Sequence, residues 1–254
     1  MSKEFYIGYM GEAPQGIARF VRGKIIQIIV SVLFLAFGLA WGQQHFFAAT
    51  FEFGKVRSFE GIVFNEPYPM LRVKRPGKIS GSLSQFSNYS LVALGKFGAN
   101  ELVKEFHGQS VSLDGSLVYQ DGQAMIEVVA GSLKSLNRED QKMLATESLG
   151  RHRFIGEIVD SKCYLGVMNP GATKTHKSCA IRCVSGGIPP VLMVRDEHGR
   201  ASYLMLVNEQ GKSVNEQVLG MIAEPVLIEG EVEKLGDTLI LKANPEDYQL
   251  ITTE

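Results

Sequence analysis

The spacing of apolar and polar positions changes several times along the chain, and each change marks an element. From Ile25 to Gly42 there is no charge, and only Gln27 and Ser31 are polar. As a helix, the run "KIIQIIVSVLFLAFGLAWG", residues 24–42, rises ~1.5 Å per residue and covers about 27 Å, enough to cross a bilayer. Beyond it the period falls to two, as expected of half-buried strands. The segment "ELVKEFHGQSVSLDGSLVYQDGQAMIEVV" from Glu101 aligns without a gap on "EQVLGMIAEPVLIEGEVEKLGDTLILKAN" from Glu216, placing Val103 on Val218, Val111 on Val226 and Gly115 on Gly230. Each copy reads as a short amphipathic helix, an alternating strand, a turn and a second strand.

Upstream, "RSFEGIVFNEP" resembles "RFIGEIVDSKC", and "NYSLVALG" resembles "ASYLMLVN". Two copies of one domain are the economical explanation. In the second copy the pattern predicts strands at 153–160, 190–195 and 201–208, a helix at 213–221, and strands at 225–234 and 237–243. Three strands, a helix and two strands is the order of the OB-fold, a five-stranded barrel that binds at its loops between strands one and two and strands four and five. The expected architecture is therefore mainly β with short helices, a transmembrane helix followed by two tandem OB-fold-like five-stranded barrels. Its parts are an N-terminal tail at 1–23, an anchor at 24–42, a first barrel at 51–134, a helical linker at 135–152 and a second barrel at 153–254.

Composition narrows the function. The 254 residues are 45% hydrophobic and 21% charged, ample for packed cores, and the net charge of -1 argues against a nucleic-acid partner. Lys3, Arg19, Arg22 and Lys24 precede the apolar run, against Lys55 and Arg57 in the comparable stretch after it. Positive charge stays inside, so the N-terminal tail is expected in the cytoplasm of a bacterial inner membrane and the barrels outside it, in the periplasm. A cleaved leader is the alternative, since Ala40 and Gly42 offer small residues at cleavage-like positions. Gly-rich phosphate loops, nucleophile elbows and paired carboxylates in a recognisable setting are missing, which argues against an enzyme.

The candidate chemistry is concentrated in "KCYLGVMNPGATKTHKSCAIRCVSGGIPP", residues 162–190, in the first loop of the second copy. It contains all three cysteines, Cys163, Cys179 and Cys183, with His176 between the first two. Thr173 or Thr175 offers a helix N-cap, and Gly186 or Gly187 a stop before Pro189 and Pro190. At ~100° per residue, a helix puts His176, Cys179 and Cys183 within roughly 60° on one face, with Cys163 arriving from the end of the preceding strand. A set of three thiolates and an imidazole suits tetrahedral Zn²⁺, and thiolates with imidazole also suit Cu(I) or an iron-sulfur centre.

A second reading stands beside the metal. Exported chains meet oxidising conditions, in which Cys163 pairs with one of the helical cysteines and leaves one spare thiol; a bridge between Cys179 and Cys183, four apart on a helix, is disfavoured by geometry. The chain is then an exported interaction module with a braced loop. Asp160 and Tyr164 flank Cys163 as groups able to orient a ligand, and Met168 and Met193 are thioethers within reach of copper. His45, His107 and His198 are isolated in sequence, while His152 lies at the entry to the second copy. The first copy, whose loop has neither Cys nor His, reads as a scaffold or docking module.

The residues "GEIVDSKCY", "HKSCAIRC", "GGIPPVLMV", "DEHG" and "SYLMLV", over 154–208, resemble a group of small exported bacterial domains with the pattern Cys, then His-x-x-Cys-Ala-x-x-Cys, then Gly-x-Pro. That resemblance implies a metal-binding or redox-related role and groups Cys163, His176, Cys179, Cys183 and Gly187 in one site. An exported accessory protein serving a membrane or periplasmic redox partner fits this reading.

Overall fold

A computed structural model of the chain describes residues 14–44, 49–75, 86–136 and 146–251. Residues Met1–Phe47 and Ala48–Glu254 are separate compact units. In the first, helix α1 (Gln15–Gln44) begins ahead of the apolar run, with the Ala18 N–H closing its first turn on the Pro14 carbonyl. Ile25, Leu33, Phe37 and Trp41 are all exposed on it. The helix is apolar on every side from Ile25 to Gly42, and the stretch Gln15–Gly42 is long and apolar enough to cross a membrane.

In the second unit an edge strand β1 (Thr50–Phe51) precedes β2 (Arg57–Phe64), β3 (Met70–Lys74), β4 (Phe86–Val92), helix α2 (Asn100–Val103), β5 (Ser110–Gln120), β6 (Gln123–Val128) and the short β7 (Lys134–Ser135). Strand β2 pairs with β3 and β3 with β4, all antiparallel; β4 pairs in parallel with β6; β6 pairs with β5, which closes the ring on β2. The chain then repeats the scheme with β8 (Glu147–Asp160), helix α3 (Lys177–Ser185), β9 (Pro190–Arg195), β10 (Ala201–Val207), α4 (Asn215–Val218), β11 (Pro225–Leu235) and β12 (Thr238–Lys242), followed by a short edge strand β13 (Gln249–Leu250). Pairings β8–β9, β9–β10, β10–β12, β12–β11 and β11–β8 close the second barrel, with β10–β12 again the parallel pair. These are two tandem five-stranded barrels with OB-fold connectivity, as the order of elements predicts.

Alternation fills each interior. Val226, Ile228 and Val232 of β11 point inward with Ile158, Leu192, Leu206 and Leu241, while Val63, Leu71, Leu91, Val111, Leu113 and Ile126 fill the first barrel. The repeat is visible in register: Gly61 lies opposite Val111 and Gly156 opposite Val226. A side chain at Gly61 would overlap the Arg72 carbonyl, and one at Gly156 the Met193 carbonyl, so both first strands need a glycine where the neighbouring strand comes close. This register pairs Gly61 with Gly156, a shift of one residue from the sequence match of Arg57 with Arg153.

The helical linker expected at 135–152 is partly replaced by strand. Ser135 ends β7, residues 137–145 lie outside those described, and β8 already starts at Glu147. The cause is the long partner β11, whose Glu229 and Glu231 accept from Arg151 and Ser148 and carry the pairing back beyond the barrel.

The barrels face one another through the parallel strand pairs. Tyr68, 1% exposed, reaches from the first barrel to donate to the Leu206 carbonyl and accept from the Val214 N–H. Asn88 donates to the Leu235 carbonyl, and Arg75 pairs with Asp237. Lys162 of the second barrel, 1% exposed, also reaches Glu127 of the first at 2.5 Å and donates to the carbonyls of Ala93 at 2.8 Å and Gly95 at 2.7 Å. Replacing Lys162 by Met strands a carboxylate and two carbonyls in a largely buried seam. A loss of about 3 kcal/mol is expected in denaturant unfolding of the detergent-solubilised chain; an unchanged midpoint would mean that the clamp does not hold the barrels together.

Candidate metal centre

The four consecutive residues Asp160, Ser161, Lys162 and Cys163 are 0%, 6%, 1% and 3% exposed. Three polar side chains in such a run must find partners or carry a large penalty. Strand β8 ends at Asp160, and a wide turn, Cys163–Val167, carries the chain away with Gly166 at φ +145° packed on the backbone of Thr50. One carboxylate oxygen of Asp160 accepts the Cys163 N–H at 2.8 Å, and the other meets His176 Nε2 at 3.1 Å. Both His176 and Asp160 are buried, so the carboxylate fixes the imidazole in place.

Helix α3 delivers the other two thiols. A single turn, Lys174–His176, leads into it, and neither threonine caps it through its side chain: Thr173 stands at φ +70° and its hydroxyl engages Thr175 instead. The predicted stop is in place, with Gly186 at the C-cap and Gly187 at φ +94°. Asn215 donates to the Val184 and Ile188 carbonyls and holds this end on the second barrel. The helix has two working faces. Ala180 and Val184 join the second barrel's core, whereas Cys179 and Cys183 look toward Val92, Val118 and Met125 of the first.

The Sγ atoms of Cys163, Cys179 and Cys183 all lie within 4.8 Å of one another. His176 belongs to an adjoining group with Asp160 and Cys163, again within 4.8 Å. The stripe expected on one helix face therefore divides at its N-terminal end: the thiols converge, and the imidazole joins them through Cys163 and Asp160. The cysteines are unbridged, and the sulfur facing Cys163 across 4.0 Å is that of Cys183. Proton sharing between these two pushes Cys163 above the ordinary thiol range, with burial and Asp160 adding to the rise; the same hydrogen bond holds Cys183 low against burial, helped by Lys96.

Lys96, from the loop after β4, is the group that sequence reasoning missed. Its Nζ is 2.7 Å from Cys179 Sγ, a contact that raises the Lys96 pKa. The loop is closed by the Ala93 N–H on the Phe97 carbonyl and pinned by Lys162. Its far end docks on α3 at a seam of glycines, where the Gly98 N–H donates to the Gly186 carbonyl at 2.9 Å. A side chain at Gly98 would overlap the Gly187 carbonyl, and one at Gly186 the Lys96 carbonyl. The only signals in sequence were the glycines either side of Lys96 and the doublet ending α3. The first barrel is thus a wall of the site as well as a scaffold.

Other candidates fall elsewhere. His152 is exposed and bonds to the Leu149 carbonyl, His107 accepts from the Asn65 N–H, His198 is exposed, and His45 lies outside the described residues. Met168 is exposed, and Met193 packs in a separate cluster with Tyr164 and Tyr203. The Tyr164 and Tyr203 hydroxyls contact one another, and Tyr203 donates to Asp121.

No protein-family model matches the chain, and no curated protein matches it.

Burial separates the thiols kinetically, because Cys163 and Cys183 are buried and Cys179 is half-exposed. In metal-free reduced protein, Cys179 is expected to react with iodoacetamide at least ~10 times faster than the other two. Equal rates, read by peptide mass mapping, would mean that the cluster opens as a unit.

Proposed function

We propose that this chain is a membrane-anchored accessory protein whose second barrel holds a thiolate-bound metal ion, Zn²⁺, Cu(I) or an iron-sulfur centre, for a membrane or periplasmic redox system. The observation that carries the reading is the convergence of three thiols within 4.8 Å, beside an imidazole that Asp160 holds. Three sulfurs and an aspartate-oriented histidine form the donor set of a tetrahedral soft-metal site. Cys163, Cys179 and Cys183 would bind the ion and His176 would complete its coordination. Lys96 offsets the negative charge that several thiolates bring to one ion. Nearby Lys162 is already matched by Glu127 and leaves the charge balance of the site unchanged.

The anchor and the excess of Lys and Arg before it support an extracytoplasmic position for the barrels. The resemblance of 154–208 to exported domains with the same Cys and His pattern supports the metal and the redox setting. Apolar side chains of both barrels wall the site, which supports storage or transfer to a protein partner over turnover of an organic substrate. The competing reading, an interaction module braced by a disulfide, draws on the 4.0 Å approach of Cys163 and Cys183.

The test is metal content and thiol titration on the full chain, purified in detergent without oxygen or chelator. About one equivalent of metal with three titratable thiols after denaturation is expected. Asp160→Asn should weaken binding by ~10–100-fold by freeing the imidazole, and Cys183→Ser by more. Lowering the pH should release the metal, since thiolates bind it only after losing their protons. One titratable thiol and no metal would establish the disulfide-braced module instead.

A further inference from the structure

Two of the three thiols face each other, and the third faces an amine. Cys163 and Cys183 are 4.0 Å apart and buried, while Cys179 is half-exposed with its sulfur 2.7 Å from Lys96 Nζ. That separation lies at the lower end of the ~2.7–3.2 Å range of a nitrogen donating to oxygen, so it is short for the larger sulfur atom, and it is long for a direct S–N bond. It is the span of one bridging oxygen. The partners are also held from both sides. Lys162 fixes the loop that carries Lys96, and the Gly98 to Gly186 hydrogen bond ties that loop to the helix that carries Cys179.

We propose that Lys96 and Cys179 are a modification site, at which oxidation of the metal-free protein joins them through a single oxygen, Sγ–O–Nζ, and so links the two barrels covalently. Dioxygen is the oxidant. The Lys96 ammonium first releases a proton to solvent; the S–H bond, one N–H bond of the resulting amine and the O–O bond then break, an S–O and an N–O bond form, and the second oxygen leaves as water with the two displaced hydrogens. Sulfur and nitrogen each give up two electrons, and dioxygen takes up four. Cys179 is the thiol with solvent access, so oxidation starts there. The inference goes beyond the metal reading without resting on it, since it concerns Cys179 when no ion engages its sulfur.

The experiment uses the full chain in detergent, with metal content measured anaerobically at the outset so that the two readings are judged separately. The protein is stripped of metal, exposed to air and digested. Peptides containing Lys96 and Cys179 should be recovered joined, about 14 Da above their summed masses, the gain of one oxygen less two hydrogens. Dithiothreitol should return both peptides unmodified. Lys96→Arg keeps the charge and should abolish the joined species while leaving the alkylation of Cys163 and Cys183 unchanged, which shows that the fold persists. Recovery of Cys179 as sulfinic acid, as a disulfide, or joined to Lys96 with a loss of about 2 Da (a direct S–N bond) would overturn the proposal.

Discussion

Much of this molecule's second unit depends on one buried ammonium group. Lys162 lies two residues beyond the end of a barrel strand, and its side chain crosses into the other barrel to meet Glu127 and two backbone carbonyls. A lysine so deeply buried is tolerated because each of its three donors is matched, one of them by a charge. The clamp sets how the barrels meet at that point. It also sets where the next residue, Cys163, is delivered and where the Ala93–Phe97 loop stands. Cysteine placement and part of the barrel docking therefore share one side chain.

The duplication explains how such an arrangement can be built. Both copies close in the same register, with Gly61 and Gly156 admitting the neighbouring strand at equivalent positions, and both use the same parallel strand pair at the shared face. They differ in the first loop. The first copy passes from Phe64 to Met70 and inserts Tyr68 into its neighbour, whereas the second passes from Asp160 to Pro190 and folds a helix over the seam. Each first loop thus engages the other barrel, and the chemistry in the longer one is finished with a lysine from its partner.

The sequence carried the periodic part of this structure well. Alternation in β11, the gapless alignment through Gly115 and Gly230, and the glycine and proline stop of α3 all mark features that depend on local spacing. The convergence of thiols was also readable, because helical pitch places Cys179 and Cys183 on one side. What could not be read was long-range. Lys96 and Cys179 are remote in sequence and belong to different domains, so no local pattern relates them. The strand nature of 147–152 was hidden for a similar reason: the segment is polar and looks helical by itself, and only its pairing with β11 makes it extended. His176 shows the limit of pitch arguments. It stands at the helix boundary, where Asp160 rather than helical spacing decides its direction.

The glycine seam has a consequence for portability. Gly98 and Gly186 lie so close that neither tolerates a side chain, and they belong to different barrels. The segment from Cys163 to Pro190 is therefore no transferable cassette. Grafted onto another OB barrel, it would keep its cysteines and its helix but lose the surface against which the helix is pressed and the lysine that faces its outermost thiol.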